Sequence, residues 1–397
     1  MLSAYRPLFA VPHARAMVLA SFTARLAMSS FLLPLVLLAH QKAGSFAFAG
    51  VAVAAFGVPA AVLAPVRGRL VDRGPRRMLA LMTLAHALAL FTLPLAASQV
   101  GLVVAAALAG ASSPPLAGAT RACWRSWLAD DPLLLPRAYA FDASAQDGLV
   151  VAGPLLAGAG IALLDPEAVI EILAGLVLTG GLLFSSRVEP VAARVKGTRG
   201  WGPVGSAGLR TLILSVLLAD AALGLVELGV PAFAVRHGSP GVAGVMLALL
   251  AGGSVIGGFS AGARDWKASP GRRYVLAVGA CALTLSPLAA AGSFATLAPL
   301  LVLAGLPFAV QWSALSLLID RLVPASATTE AYTWMTTANA AGLALGSVLG
   351  GALIPADNDP TLPLLAAPIV AVAGTLVALA RRASLTEPTP GLTGERA

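Results

Sequence analysis

Apolar runs of about 20 or more residues recur along nearly the whole chain, separated by short breaks of charge, proline or glycine. They predict helices over about 16–39, 46–66, 78–97, 100–122, 138–164, 167–187, 209–235, 241–261, 274–292, 295–319, 330–354 and 361–381. Each is long enough to cross a hydrocarbon layer about 30 Å thick at a rise of about 1.5 Å per residue. The runs are continuous rather than alternating, which excludes a membrane β-barrel and leaves the helix as the spanning structure. Of 397 residues, 58% are hydrophobic and 11% charged, too few polar groups to surround a soluble domain of this length. The expected fold is an all-α membrane protein of twelve transmembrane helices. The first run is too long for a signal-peptide core and is followed at once by a second.

A net charge of +8 would suggest nucleic acid in a soluble protein, but the arginines fall in loops. Arg6, Arg15, Arg67, Arg69, Arg73, Arg76, Arg77, Arg125 and Arg137 lie to one side of the first spans, and Arg264, Lys267, Arg272, Arg273 and Arg321 repeat the pattern later. Only Lys42 and Arg236 fall on the opposite side, with Asp165, Glu167, Asp357 and Asp359. The positive-inside rule therefore places both termini in the cytoplasm, and no nucleic-acid partner is expected. Residues 189–208, with Arg194, Lys196 and Arg199, read as a cytoplasmic linker between halves 1–188 and 209–397. Cys123 and Cys281 form no disulfide framework, and the four histidines have no ligand spacing, so no metal is expected. Nucleotide-binding and hydrolytic motifs are missing, which argues against an enzyme and against any cofactor.

An internal repeat emerges when each residue is set against the one 193 positions later. Ala138-Tyr139-Ala140-Phe141 lies over Ala331-Tyr332-Thr333-Trp334, Gln146 over Asn339, Gly153 over Gly346, Gly158 over Gly351, Asp72 over Asp265 and Pro114 over Pro307. Six spans have been duplicated in parallel. Tandem halves of this kind are a feature of secondary transporters, whose binding site lies between the repeats.

After the second span the chain reads Gly68-Arg69-Leu70-Val71-Asp72-Arg73-Gly74-Pro75-Arg76-Arg77, and the fifth span carries Gly148, Gly153-Pro154 and Gly158. The first resembles the Gly-x-Leu-Ala-Asp-Arg-x-Gly-Arg-Arg loop of the major facilitator superfamily, with Pro75 where the family usually has glycine. The second is similar to the Gly-Pro-x-x-Gly-Gly element of that superfamily's drug:proton antiporter branch. The resemblance covers essentially the full length. It implies two six-helix repeats and a conformational latch built from Gly68, Asp72, Arg73, Arg76 and Arg77, with Asp265 as the second-half counterpart. Asp72 and Arg76, four apart, suit a charge pair on one helical face. The alternative is that these arginines only enforce topology, and that the helix 5 glycines are general small-residue packing.

Ionisable groups at membrane depth usually face a cavity or a partner. Arg25 lies near mid-membrane, and Asp142 or Asp147 on the fifth span would neutralise it, with Gln146 on the same face as Asp142. Asp220 and Glu227 share a face of the seventh span. Asp142, Asp147, Asp220, Glu227 and Arg25 are the candidate proton-coupling groups, against the alternative of static packing pairs. Arg25, Gln146, Gln311, Trp312, Trp334 and Asn339 are candidate substrate contacts, against interfacial or packing roles. Arg121 and Arg125 read as snorkelling interfacial anchors.

The expected function is proton-coupled efflux of a small apolar drug or metabolite by alternating access. The abundance of Gly and Pro, at 41 and 28 residues, points to a GC-rich bacterial genome and so to a bacterial cytoplasmic membrane. The expected partners are the lipid bilayer, a small-molecule substrate and protons, with the chain acting as a monomer. The alternatives are transport of a sugar-like or anionic metabolite with Arg25 as the anion contact, and a non-transporting sensor or scaffold on the same fold.

Overall fold

In the computed structural model, residues 2–128, 131, 133–188, 206–264, 266–323 and 328–385 are described. Among them every regular element is helical. After a 3-10 turn at Leu2–Ala10 come α1 (Ala14–Ser30), α2 (Leu32–Ala43), α3 (Phe46–Val62), α4 (Ala64–Arg73), α5 (Pro75–Leu95), α6 (Gln99–Ser112), α7 (Leu116–Trp127), α8 (Leu134–Leu163) and α9 (Pro166–Arg187). The second half holds α10 (Ala207–Arg236), α11 (Val242–Gly262), α12 (Pro270–Leu285), α13 (Phe294–Leu322), α14 (Thr328–Leu353) and α15 (Thr361–Ala380).

Among the described residues ten helical segments are long and apolar enough to cross a membrane, and the pair α3 and α4, bent by 48°, makes eleven. The remaining expected span is α14, whose first half carries Glu330, Thr333, Thr336, Thr337 and Asn339 and is correspondingly polar. Large apolar side chains such as Leu95, Leu163, Phe259 and Leu283 are largely exposed, as expected where the surrounding solvent is lipid.

The chain forms two compact units, one of Met1–Gly44, Ala55–Val195 and Ser239–Ala248, the other of Ser45–Ala54, Lys196–Gly238 and Leu249–Ala397. Their internal packing repeats. In the first unit α1 packs on α8 and α9, and α5 on α6 and α9; in the second α10 packs on α14 and α15, and α12 on α13 and α15. The parallel duplication seen in the sequence is thus a duplication of helix pairings.

Three expected spans are divided into two α-helices, and that over 274–292 passes from α12 into a 3-10 turn at Ser286–Ala290. The first is divided at Phe31, where Pro34 lacks the N–H that would bond the carbonyl of Ser30. The second breaks at Leu63, and Pro65 starts the next helix. The fourth breaks at 113–115, where Pro114 and Pro115 leave the carbonyls of Gly110 and Ala111 without their helical donors. The single Pro307 at the repeat-related position leaves α13 unbroken.

One side chain bridges two of these breaks. Arg67, read from sequence as a loop charge, is buried; its Nη1 donates to Gly110 O at 2.7 Å and Ala111 O at 3.0 Å, and its Nη2 to Ala60 O at 2.5 Å. Gly110 O also takes a longer turn bond from Ser113 N at 3.3 Å. The buried His86 on α5 donates from Nδ1 to Ala109 O at 2.7 Å. Three successive carbonyls at the end of α6 are therefore satisfied by side chains, as lipid-buried backbone requires. Arg67→Met is expected to lower stability by about 3 kcal/mol, because two proline-freed carbonyls lose their charged donor at once. Thermal unfolding in detergent checks this; a midpoint equal to that of the parent would remove the bridging role.

Candidate functional site

In the first unit the candidate residues converge where α1, α7 and α8 meet. Small residues make the approach possible: a Cβ on Gly153 of α8 would lie 2.6 Å from the Ser29 carbonyl oxygen of α1. That closeness lets Arg25 reach across. Its Nη1 is 2.5 Å from Asp142 Oδ1, while Nε and Nη2 donate to Gln146 Oε1 at 3.1 and 2.5 Å. Arg25 is 5% exposed and Asp142 1%, and the guanidinium also lies over the Phe22 ring, 5.4 Å from its centroid. Of the two acids considered for Arg25, Asp142 takes the pair. Asp147 is exposed on another face of α8 and forms no ion pair among the described residues.

Asp142 has a second cation. Arg121 Nε lies 3.3 Å from Asp142 Oδ2, a contact that the reading of Arg121 as an interfacial anchor did not include, while the rest of its side chain is exposed. Sequence reasoning missed this contact because its partner lies 21 residues on, on a different helix. Arg125 does lie exposed, donating from Nε to Tyr139 Oη at 3.3 Å.

In the second unit Asn339 Nδ2 on α14 donates to Asp220 Oδ2 on α10 at 3.0 Å. Asn339 stands 193 residues after Gln146, so in both units a carboxamide at the same register holds an ionisable group of the first long helix, with the charge reversed. Asp220 is fully buried and Glu227 half-buried, and neither forms an ion pair among the described residues. Asp220 Oδ1, Glu227 Oε2 and Gln311 Nε2 have no protein hydrogen-bond partner among them either. Gln311 on α13 accepts from Cys281 Sγ at 3.6 Å, and Tyr274 Oη donates to Ser215 Oγ at 3.1 Å. Trp312 packs on the apolar core around α10, α12 and α13, whereas Trp334 is exposed.

Each unit also holds a further ion pair. Lys42 Nζ lies 3.2 Å from Glu167 and Arg236 Nη1 2.7 Å from Asp359. The Thr361 hydroxyl and backbone N–H, with Arg236, hold the Asp359 carboxyl down at about 2.

The loop after the second span departs from expectation. Asp72 lies in the last turn of α4 and Arg76 in α5, because Gly74 and Pro75 break the helix between them, so the two do not share a helical face. Asp72, Arg73, Arg76 and Arg77 are exposed without an ion pair among the described residues, and a side chain at Gly68 would meet open space. Asp265 lies outside the described residues. Of the helix 5 element, Gly148 also faces open space, but Gly158 packs backbone to backbone: its Cβ would lie 2.8 Å from the Cα of Gly244. Both cysteines are buried, and no group of His, Cys, Asp and Glu suited to a metal occurs among the described residues.

Comparison with solved structures gives a point mutant of the nucleoside transporter NupG, at 13% identity and TM-score 0.78, covering 92% of this chain and 98% of that one. Another NupG structure aligns at 14% identity and TM-score 0.73, covering 94% and 98%. A bacterial homologue of the iron transporter ferroportin, in an inward-facing state, aligns at 16% identity and TM-score 0.70, covering 93% and 98%. At these identities the likeness establishes the fold. Comparison with curated proteins finds no match. The family model of the Major Facilitator Superfamily matches residues 17–293, well over half of the sequence, and with this fold and these helix pairings the chain belongs to that superfamily and is a transporter, not an enzyme.

Proposed function

We propose that the protein is a proton-coupled exporter of a small, largely apolar molecule, working by alternating access in a bacterial cytoplasmic membrane with both termini in the cytoplasm. The observation that carries this reading is the pair of acids on α10. Asp220 and Glu227 sit on a membrane-spanning helix with one carboxamide contact between them and no ion pair among the described residues. A buried carboxylate without a countercharge is costly, which favours uptake of a proton or a cation by each of these acids. Arg25 fits a supporting part rather than a ligand contact, since each of its three nitrogens already donates within the cluster. Export is favoured by the helix 5 glycines, with Gly153 and Gly158 at backbone contacts that a larger side chain would block.

The test is a flux measurement in sealed proteoliposomes holding a trapped pH indicator. An acid-inside gradient should drive accumulation of a lipophilic fluorescent dye beyond that in protein-free vesicles, with dye-dependent interior alkalinisation, and collapsing the gradient beforehand with a protonophore should abolish the accumulation and the dye-dependent pH change. Gradient-independent accumulation, or accumulation without alkalinisation, would contradict proton coupling.

A further inference from the structure

The cluster in the first unit does not balance. Two guanidinium groups, Arg25 and Arg121, share one carboxylate, Asp142, leaving one positive charge over. Arg25 is buried, and each of its three nitrogens already donates within the cluster, so it offers little of its charge to the outside. The excess therefore belongs to Arg121, whose side chain is 56% exposed. Arg121 meets Asp142 through Nε alone, and its two Nη groups have no protein partner among the described residues. A planar guanidinium fixed on its inner edge and free on its outer edge is suited to bidentate binding of an oxyanion. Gln146, one turn from Asp142 on α8, turns its Oε1 to Arg25, and its amide N–H groups have no protein partner among the described residues. Arg125, one turn further along α7 and exposed, raises the local positive potential.

We propose that the outer edge of Arg121, held by Asp142, recognises an oxyanion on an apolar body, and that the transported molecule is accordingly an organic acid. This rests on the exporter reading and narrows its substrate class. An anion bound here brings the Arg25, Asp142 and Arg121 cluster to neutrality. The same oxyanion chemistry is offered by a soluble carboxylate and by the headgroup of an acidic phospholipid.

Binding can be read without any gradient, so its outcome is separate from that of proton coupling. The full-length protein in a neutral detergent is titrated with benzoate, and with benzamide as the uncharged counterpart, following the thermal unfolding midpoint. Benzoate should stabilise and benzamide should not. Arg121→Gln should weaken the benzoate response about tenfold, as for loss of a charge-assisted bond. Arg121→Lys, which keeps the charge on Asp142 and guards against misfolding, should weaken it about threefold. Arg381→Gln, at an exposed arginine far along the chain, should leave it unchanged. A parallel arm compares nanodiscs of phosphatidylcholine alone with nanodiscs that include phosphatidylglycerol. An Arg121-dependent shift with phosphatidylglycerol but not with benzoate assigns the oxyanion to lipid and overturns the substrate assignment. Equal responses to benzoate and benzamide, or a benzoate response unaltered in both Arg121 variants, overturn the site itself.

Discussion

Replacing Arg25 with glutamine is expected to destabilise the protein by about 3–5 kcal/mol, the cost typical of stranding one member of a buried ion pair. Asp142 is 1% exposed, and its remaining cation, Arg121, contacts it at 3.3 Å from a largely exposed position. Gln146 would lose both N–H donors from Arg25 in the same step. Removing both charges should be much milder: Arg25→Met with Asp142→Leu is expected to recover most of the stability, since apolar pairs of similar volume often replace a buried ion pair at little cost. The measurement is the thermal or denaturant midpoint of the single and double variants in one detergent. A single variant within about 0.5 kcal/mol of the parent, the range ordinary for a surface substitution, would show that the pair does not anchor α1 to α8.

The parts of this site that were legible in the sequence are those fixed by helical register. The offset of 193 residues set Gln146 over Asn339, and in the structure each carboxamide meets the ionisable group of the first long helix in its own half. Face arithmetic also brought Asp142 and Gln146 to one side of α8, where Arg25 takes both. The features that escaped depend on partners far along the chain or on local breaks. Arg67 counts as one more loop arginine until Pro114 and Pro115 are seen to free the carbonyls it binds, 43 and 44 residues on. The spacing of Asp72 and Arg76 suggested a pair on one face only because the helix was taken as continuous across Gly74. Arg121 shows the same limit: its partner, Asp142, stands on another helix 21 residues on.

Asp220→Asn and Glu227→Gln, singly, are expected to reduce gradient-driven accumulation to the level of protein-free vesicles while leaving substrate counterflow in place. An amide fills the space of the acid but cannot take up and release a proton, so alternation survives and its link to the gradient does not. Stability should move the other way. Asp220 Oδ1 and Glu227 Oε2 have no protein partner among the described residues, and an amide removes a buried group that must otherwise be held charged or protonated. Asn339 can still bond an asparagine oxygen at position 220, so its 3.0 Å contact need not be lost. Asp220→Asn is therefore expected to raise the unfolding free energy by about 1 kcal/mol, because functional groups are commonly kept at some cost to stability; loss of a packing residue would lower it instead. Coupled flux and unfolding midpoint are thus read on the same preparation. Retained coupled flux in both single variants and in the double variant would remove these acids from the proton path, whereas a lowered midpoint with coupling intact would make them structural.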